Sequence, residues 1–209
     1  MSETDSKYQQ WEHIKHIREL PDTYVGSSIK EEKDLYIHKD NKIEKKNIEW
    51  VPAIYKIFDE IIVNAIDNHT RTKREKEKAP KRMIKVMSKL EVNIDKTTGI
   101  ISVLNDGEGI EVKQINTEKN KDIYVIELIF GELLTSENFK DGKEKKLTGG
   151  KNGYGAKLTN IFSKEFTVES VDRKQHLLYK QTWRDNMETK DLPIITKYKG
   201  EPYTKITFL

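Results

Sequence analysis

The most constraining feature of this sequence is a glycine-rich segment, TGGKNGYGAK, at residues 148–157. Four glycines fall within seven residues, and two lysines accompany them. Glycines let backbone N–H groups approach a ligand closely, and a helix predicted to open near Gly155 would add the positive end of its dipole. The segment matches neither the Walker pattern nor, without a surrounding βαβ unit, the dinucleotide-binding fingerprint. We interpret it as a phosphate-binding loop of another type.

The composition excludes several other classes of protein. The 209 residues contain no cysteine, which rules out disulfides, thiolate zinc sites and a cysteine nucleophile. No apolar run approaches the roughly 18–20 residues of a membrane span, so we expect no membrane association. The net charge of +3 is too small to indicate nucleic-acid binding by itself.

The hydrophobic pattern predicts an α+β fold with helices on one face of a mixed, largely antiparallel sheet. The strongest helix is predicted from Pro52 to about His69, with a core stripe at helical spacing formed by Ile54, Ile57, Ile61 and Ala65. Charge-dense residues 30–50 predict a hairpin or a covering loop. The predicted strands are 83–94, 100–104, 166–171, 177–183, 194–198 and 203–208.

Within the long helix, the stretch FDEIIVNAIDN at 58–68 aligns polar side chains on one side. Glu60, Asn64, Asp67 and Asn68 stand at positions i, i+4, i+7 and i+8. A carboxylate one turn from an amide can accept a proton from an attacking water, while the amide oxygen can bind Mg²⁺. An ordinary solvated helix face remains an equal alternative on this pattern alone.

Residues 105–110, NDGEGI, follow an apolar strand. Two glycines two apart permit a tight turn, and Asp106 at the strand end could accept a hydrogen bond from an exocyclic amine such as that of adenine. For the hexapeptide alone, a simple turn is the favoured interpretation.

The segment 71–82 concentrates positive charge, with seven Lys or Arg residues against two Glu. A solvated loop is the simplest interpretation, and contact with a nucleic-acid backbone is the functional alternative. The five histidines show no ligand spacing with other donors, so an imidazole-held catalytic metal is not expected.

The order of these motifs resembles that of the GHKL ATPases, which include gyrases, type II topoisomerases, Hsp90-type chaperones, histidine kinases and MutL-type repair proteins. Five segments closely resemble the N-terminal ATPase domain of eukaryotic-type DNA topoisomerase II. They are LPDTYVGS, KIFDEIIVNAIDN, IFGELLTSENF, TGGKNGYGAKLTNIFS and YKQTWRDNM. The resemblance runs from about Tyr8 to Leu209. It implies a Bergerat-type two-layer sandwich, an N-terminal strap with a short helix at 1–20 and an ATP-binding domain at 21–209.

The resemblance also implies roles for single residues. Glu60 looks like the general base and Asn64 like the Mg²⁺ ligand. Glu137 and Lys151 depart from the family's usual serine and arginine, which weakens one polar contact and loses a bidentate one. The residues implied in ATP binding are Tyr8, Asn64, Asp67, Asn68, Arg71, Asp106, Ser136, Asn138, Gly150, Lys151, Asn152, Gly153, Tyr154, Gly155, Ala156 and Lys157.

The implied function is that of a MgATP-binding and hydrolysing region of a nuclear isomerase, or of one in a large DNA virus. The strap carrying Tyr8 would reach the partner subunit of an ATP-dependent homodimer, and DNA would be the substrate of the whole enzyme. Because the transducer lysine and the DNA-cleaving tyrosine of the family lie in later domains, we expect this chain to hydrolyse ATP slowly and not to cleave DNA. Two alternatives stay open, a nucleotide-dependent conformational switch with negligible turnover and a DNA-binding module built on 71–82.

Overall fold

The computed structural model describes residues 11–133 and 154–209. The chain divides into two compact units, Met1–Ile57 and Phe58–Leu209, and the boundary falls inside a long helix. The sequence-based division into a strap at 1–20 and a domain at 21–209 is not tested by this and stays a prediction. No helix among the described residues is long and apolar enough to cross a membrane.

The first unit holds two short helices and a long hairpin. Helix α1 spans His13–Glu19 and helix α2 spans Pro21–Tyr24. Pro21 begins the second helix, because its fixed φ suits a first helical turn. This second helix lies outside the range 1–20, for which a short helix was predicted.

The charge-dense segment forms a hairpin, and the alternative of a covering loop is wrong. Strands β1, Glu31–Lys39, and β2, Lys42–Trp50, pair antiparallel over nine residues each. Asp40 and Asn41 form the two-residue turn with φ values of 49° and 60°. Asp and Asn tolerate this left-handed conformation, which matches the twist of a tight hairpin.

Helix α3 spans Pro52–Lys78, nine residues beyond its predicted end near His69. The interpretation of 71–82 as a solvated loop is therefore wrong for most of that segment. Arg71 pairs with Glu75 one turn on at 3.3 Å, and the buried Thr72 donates its hydroxyl to the Asn68 carbonyl at 2.8 Å. These contacts stabilise the polar C-terminal part of the helix, and Pro80 prevents its further continuation.

The predicted apolar stripe of α3 is correct in its centre and wrong at its start. Ile57, Ile61 and Ala65 are buried, but Ile54 is 57% exposed and Ala53 is buried instead. The spacing identified the right helix face and assigned its first position one residue too late.

The second unit is built on a seven-stranded sheet. In order across the sheet, β10, β8, β7, β11, β4 and β3 are neighbours, and β9 pairs with β8. Every described pairing in it is antiparallel, in agreement with the predicted largely antiparallel sheet. The strands are β3 Leu90–Ile94, β4 Ile101–Asn105, β7 Glu165–Asp172, β8 Leu177–Arg184, β9 Thr189–Lys190, β10 Ile194–Lys197 and β11 Thr204–Phe208.

The remaining described elements are short. A two-residue ladder joins β5, Gln114–Ile115, to β6, Ile123–Tyr124. Helix α4 spans Val125–Gly131 and helix α5 spans Gly155–Ile161. The predicted helix opening near Gly155 is confirmed, and the predicted strand from 83 is wrong over its first half, since β3 begins only at Leu90.

One hydrophobic core lies between the helices and one face of this sheet. Alternate residues of β4, β7, β8 and β11 point into it, as the period of two along a strand requires. Trp183, Tyr179 and Phe166 are its largest fully buried side chains. The other members of the buried cluster are Ile61, Val103, Val112, Ile126, Phe130, Ala156, Val168, Ile206 and Phe208.

Candidate functional site

The structure brings two of the sequence motifs together at the start of helix α5. A Cβ atom on Gly155 would stand 2.6 Å from Oε2 of Glu60 and 3.4 Å from Nδ2 of Asn64. The polar pair of helix α3 therefore reaches the end of the glycine-rich segment. Any larger residue at this point would require the Glu60 side chain to shift, because real Cβ contacts below 3.0 Å are essentially never seen.

A lysine two residues further along the chain is also buried. Lys157 is 4% exposed. Burial lowers the pKa of its ammonium group from 10.5 to about 8, opposed by the negative charge of Glu132. A buried cation interacts more favourably with a bound anion than an exposed cation does, because charges attract more strongly away from bulk solvent.

One helical turn beyond Asn64, the side chain of Asn68 ties helix α3 to the 105–110 turn. Asn68 donates from Nδ2 to the Glu108 carbonyl at 3.1 Å, and its Oδ1 accepts from Arg71 at 2.8 Å. Both ends of the carboxamide are thus engaged within the protein. These contacts make Asn68 and Arg71 a brace for the turn, and their predicted nucleotide contacts stay predictions.

The carboxylate of Asp106 is also engaged within the protein. Oδ1 accepts from the amides of Ser88 and Lys89, each at 2.7 Å, and Oδ2 accepts from the Ser88 hydroxyl at 2.6 Å. Burial raises the pKa of this carboxyl, but the bonds from Ser88 and Lys89 outweigh that effect and the pKa is lowered. Asp106 therefore fixes segment 85–89 against the turn, and its predicted contact with a base stays a prediction.

Its neighbour Asn105 has the properties that were expected of Asp106. Asn105 is 6% exposed, and its Oδ1 is buried with no hydrogen-bond partner. A buried acceptor of this kind needs a donor. The sequence contained the signal, because the D-x-G-x-G pattern counted back from Gly107 and Gly109 begins at residue 105 and not at 106.

The turn itself is pressed against strand β7. A Cβ on Gly109 would lie 2.0 Å from the Val171 carbonyl oxygen. Ile110 donates its amide to the Ser170 hydroxyl at 2.9 Å, and the Glu108 carboxylate accepts from Lys85 N at 2.8 Å and from Arg173 at 3.1 Å. The turn is thus fixed by contacts distant in sequence, which the simple hairpin interpretation did not foresee.

The other predicted site residues divide into two groups. Asp67 is half-buried on α3, Tyr154 precedes α5, and Ala156 is buried in its first turn. Tyr8, Ser136, Asn138 and the range 150–153 lie outside the described residues. The structure therefore assembles the helix, turn and α5 parts of the predicted site.

The donor set suits a hard cation that takes few protein ligands. Among residues 11–133 and 154–209, no group of three or more His, Cys, Asp or Glu side chains could hold a metal ion. The Asn64 amide one turn from the Glu60 carboxylate offers hard oxygen atoms only. Mg²⁺ prefers this arrangement, because it binds one or two protein oxygens and completes its shell with phosphates and water.

This fold and site define a class of protein. The structure matches the ATPase domain of Thermus thermophilus gyrase B, solved with an aminocoumarin, with a TM-score of 0.61 over 93% of this chain at 17% identity. At that identity the likeness concerns the fold alone, and it is the GHKL ATPase fold. No family model matches the sequence.

Closer relatives give the family. The chain is 48% identical over 202 residues to a probable DNA topoisomerase 2 of Dictyostelium discoideum and 47% identical over 206 residues to the DNA topoisomerase 2 of Plasmodium falciparum. The solved ATPase region of Saccharomyces cerevisiae topoisomerase II matches 97% of this chain at 45% identity, with a TM-score of 0.84. The chain belongs to the eukaryotic-type DNA topoisomerase 2 family and corresponds to its ATPase region.

The chain spans a small part of these proteins. Its match covers 96% of its own length and 12% of the Dictyostelium protein, and 98% and 14% for Plasmodium. It covers 50% of the solved yeast chain.

Proposed function

We propose that this chain binds MgATP and hydrolyses it as the ATPase region of a type II DNA topoisomerase. The observation that carries the proposal is the contact of Glu60 and Asn64 with Gly155, which brings a base and an amide to the end of a glycine-rich segment. In the whole protein, ATP-driven dimerisation would then power passage of one DNA duplex through another in the nucleus or in a viral replication compartment. The strap carrying Tyr8 would join the two subunits.

Each described residue has a distinct task in this proposal. Glu60 takes the proton of the attacking water, and Asn64 offers its carboxamide oxygen to Mg²⁺. Lys157 supplies positive charge to the phosphates from a buried position, and the phosphate contacts of residues 150–153 stay predictions. When bound, Mg²⁺ neutralises charge on the phosphates.

Asn105 replaces Asp106 as the proposed reader of the base. Its buried Oδ1 can accept a hydrogen bond from the exocyclic amine of adenine, whereas both oxygens of Asp106 already accept bonds from Ser88 and Lys89. Asn68 and Arg71 support this turn through Glu108. Helix α3 would thus serve both ends of the nucleotide, the phosphate end through Glu60 and Asn64 and the adenine end through the turn that Asn68 supports.

The test separates binding from turnover. We expect Glu60→Ala to keep the affinity for a non-hydrolysable ATP analogue with Mg²⁺, measured by calorimetry, within about threefold. Phosphate release in single-turnover conditions should fall about 10²- to 10⁴-fold, the usual contribution of a general base. Glu77→Ala, the same change at an exposed position of the same helix, should alter neither quantity.

Two results would contradict the assignment. Loss of analogue binding with residual turnover unchanged would remove Glu60 from the role of base. Binding of the analogue by the unaltered chain without any Mg²⁺-dependent phosphate release would instead favour a nucleotide-dependent switch.

A further inference from the structure

The excess of positive over negative charge in this protein comes from one short segment. Residues 71–82 hold seven Lys or Arg against two Glu, while the other 197 residues hold 31 Lys or Arg against 33 Asp or Glu. Without those twelve residues the chain would be slightly acidic. A charge excess concentrated in this way requires its own explanation, because it is unrelated to overall solubility.

Intramolecular pairing does not account for these cations. Arg71 is committed to Asn68 and to Glu75. The other six cations form what we call the basic surface, and none of them pairs with a carboxylate among the residues that the structure describes. They are Lys73, Arg74, Lys76, Lys78, Lys81 and Arg82.

The basic surface stands on an ordered scaffold. Its first four members lie in the last turns of α3, and the chain then continues through hydrogen bonds from Ala79 N to Glu75 O at 3.0 Å and from Arg82 N to Ala79 O at 2.9 Å. The next residues are anchored by the buried Ile84 and by Arg173, which donates to the Met83 carbonyl. The backbone that carries the cations is therefore held by contacts within the protein.

Two pairs of these cations are neighbours on helix α3, where Glu77 also stands four residues from Lys73 and Glu75 three residues from Lys78. Lys73 and Lys76 are three residues apart and Arg74 and Lys78 four apart, so each pair lies side by side on the helix, where like charges repel. The negative end of the helix dipole favours cations in the final turn, but that effect fades within one turn and does not extend to Lys73 or Arg74. A partner with closely spaced negative charges would relieve this repulsion.

We propose that the basic surface binds the phosphate backbone of duplex DNA without regard to sequence. A duplex carries one negative charge about every 1.7 Å along its axis, and lysines that meet phosphates release condensed counterions. No aromatic side chain lies among the six cations, which argues against stacking on single-stranded bases. The proposal rests on the proposed topoisomerase function only for the choice of DNA among polyanions.

The experiment measures binding of the chain to a fluorescent 30-base-pair duplex by anisotropy, without nucleotide, between 50 and 200 mM salt. Lys76, Lys78 and Lys81 are changed together to Gln. The matched control changes Lys39, Lys42 and Lys96 to Gln, which are three exposed lysines outside the segment. A second duplex of unrelated sequence and vesicles containing phosphatidylserine complete the set of partners.

We expect the triple change in the basic surface to lower duplex affinity roughly 10- to 100-fold at 150 mM salt and to make the salt slope shallower by about 2.7, or 0.9 for each lost phosphate contact. The control should keep both values, and the two duplexes should bind alike. Equal losses in both variants, an unchanged salt slope, or binding to the vesicles but not to the duplex would overturn the proposal. Because no nucleotide is present, none of these results depends on whether the chain hydrolyses ATP.

Discussion

Strand β4 runs between two turns that use an aspartate in the same way and differ in where its partners come from. In the turn before the strand, Asp95 accepts from the amides of Thr97 and Thr98 and from the Thr98 hydroxyl. In the turn after it, Asp106 accepts from two amides and a hydroxyl of Ser88 and Lys89, 17 and 18 residues away. The conformation of the first turn is fixed by its own residues, and that of the second is fixed by residues distant in sequence.

The glycines of the two turns differ in the same manner. Gly99 has a φ of 78°, and a Cβ there would be 3.4 Å from a Leu209 methyl, an ordinary contact. Gly109 has no such backbone requirement, but a Cβ would meet the Val171 carbonyl. Glycine is needed at 99 for local conformation and at 109 for close packing, which indicates that the second turn is built to hold a fixed position.

Among the substitutions in these two turns, Gly109→Ala is expected to lower the free energy of unfolding most. No side-chain rotation can relieve a Cβ atom 2.0 Å from a backbone oxygen, so strand β7 or the turn must move. We expect the free energy of unfolding in urea to fall by about 3 kcal/mol or more. A loss below about 1 kcal/mol would mean that the turn is not pressed against β7.

Asp106→Ala should have an intermediate effect. Removing an acceptor of three hydrogen bonds is expected to cost about 2 kcal/mol at pH 7. Hydrogen exchange should speed up at the amides of Ser88 and Lys89. In the matched variant Asp95→Ala, faster exchange should stay within 95–99. Equal exchange in both regions for both variants would contradict the distinction between a local and a long-range turn.

The effect of Asp106→Ala should also depend on pH in a defined direction. The folded-state pKa of Asp106 is lowered below its usual value near 3.8. Its contribution to stability is therefore complete above that value and is lost as pH falls through the folded-state pKa. The difference in unfolding free energy between wild type and variant should shrink below about pH 4, and a difference that grows there would contradict the assignment.

Gly99→Ala should have the smallest effect. Alanine at a positive φ costs about 1 kcal/mol, and the space around the new methyl group is adequate. Urea unfolding should report this loss. Binding of the ATP analogue should stay unchanged, since the turn contacts neither Glu60 nor Asn105, which is at the other end of β4. A change in nucleotide affinity would show that the two turns are not independent.

The same contrast explains what could be predicted from the sequence. Elements with local signals were predicted well, including the start of helix α5 and strands β7 and β8. The extension of α3 was not predicted, because the sequence after His69 is polar. In the structure the buried Thr72 continues the helix and donates its hydroxyl to the Asn68 carbonyl. The exposure of Ile54 could not be read from spacing, since helical periodicity cannot decide between adjacent stripes.

The candidate site was predicted in part for the same reason. Glu60 and Asn64 follow from their spacing on one helix, but their contact with Gly155 joins residues about 90 apart and needed the fold. The proposed role of Asn105 needed the structure as well, because the burial of its Oδ1 without a hydrogen-bond partner depends on the tertiary fold. The bracing roles of Asn68, Arg71 and Glu108 depend on tertiary contacts that no local pattern records.

The position of Lys157 has a consequence for how this domain tolerates an empty site. Lys157 is 4% exposed as a residue, and burial lowers the pKa of its ammonium group to about 8 against the opposing effect of Glu132, so the charged form carries a desolvation cost. Negative charge brought by a phosphate would offset part of that cost, and bound nucleotide would then stabilise the domain as well as serve as fuel. Product departure would then leave the domain less stable than before, and each cycle would alternate between a tighter and a looser molecule.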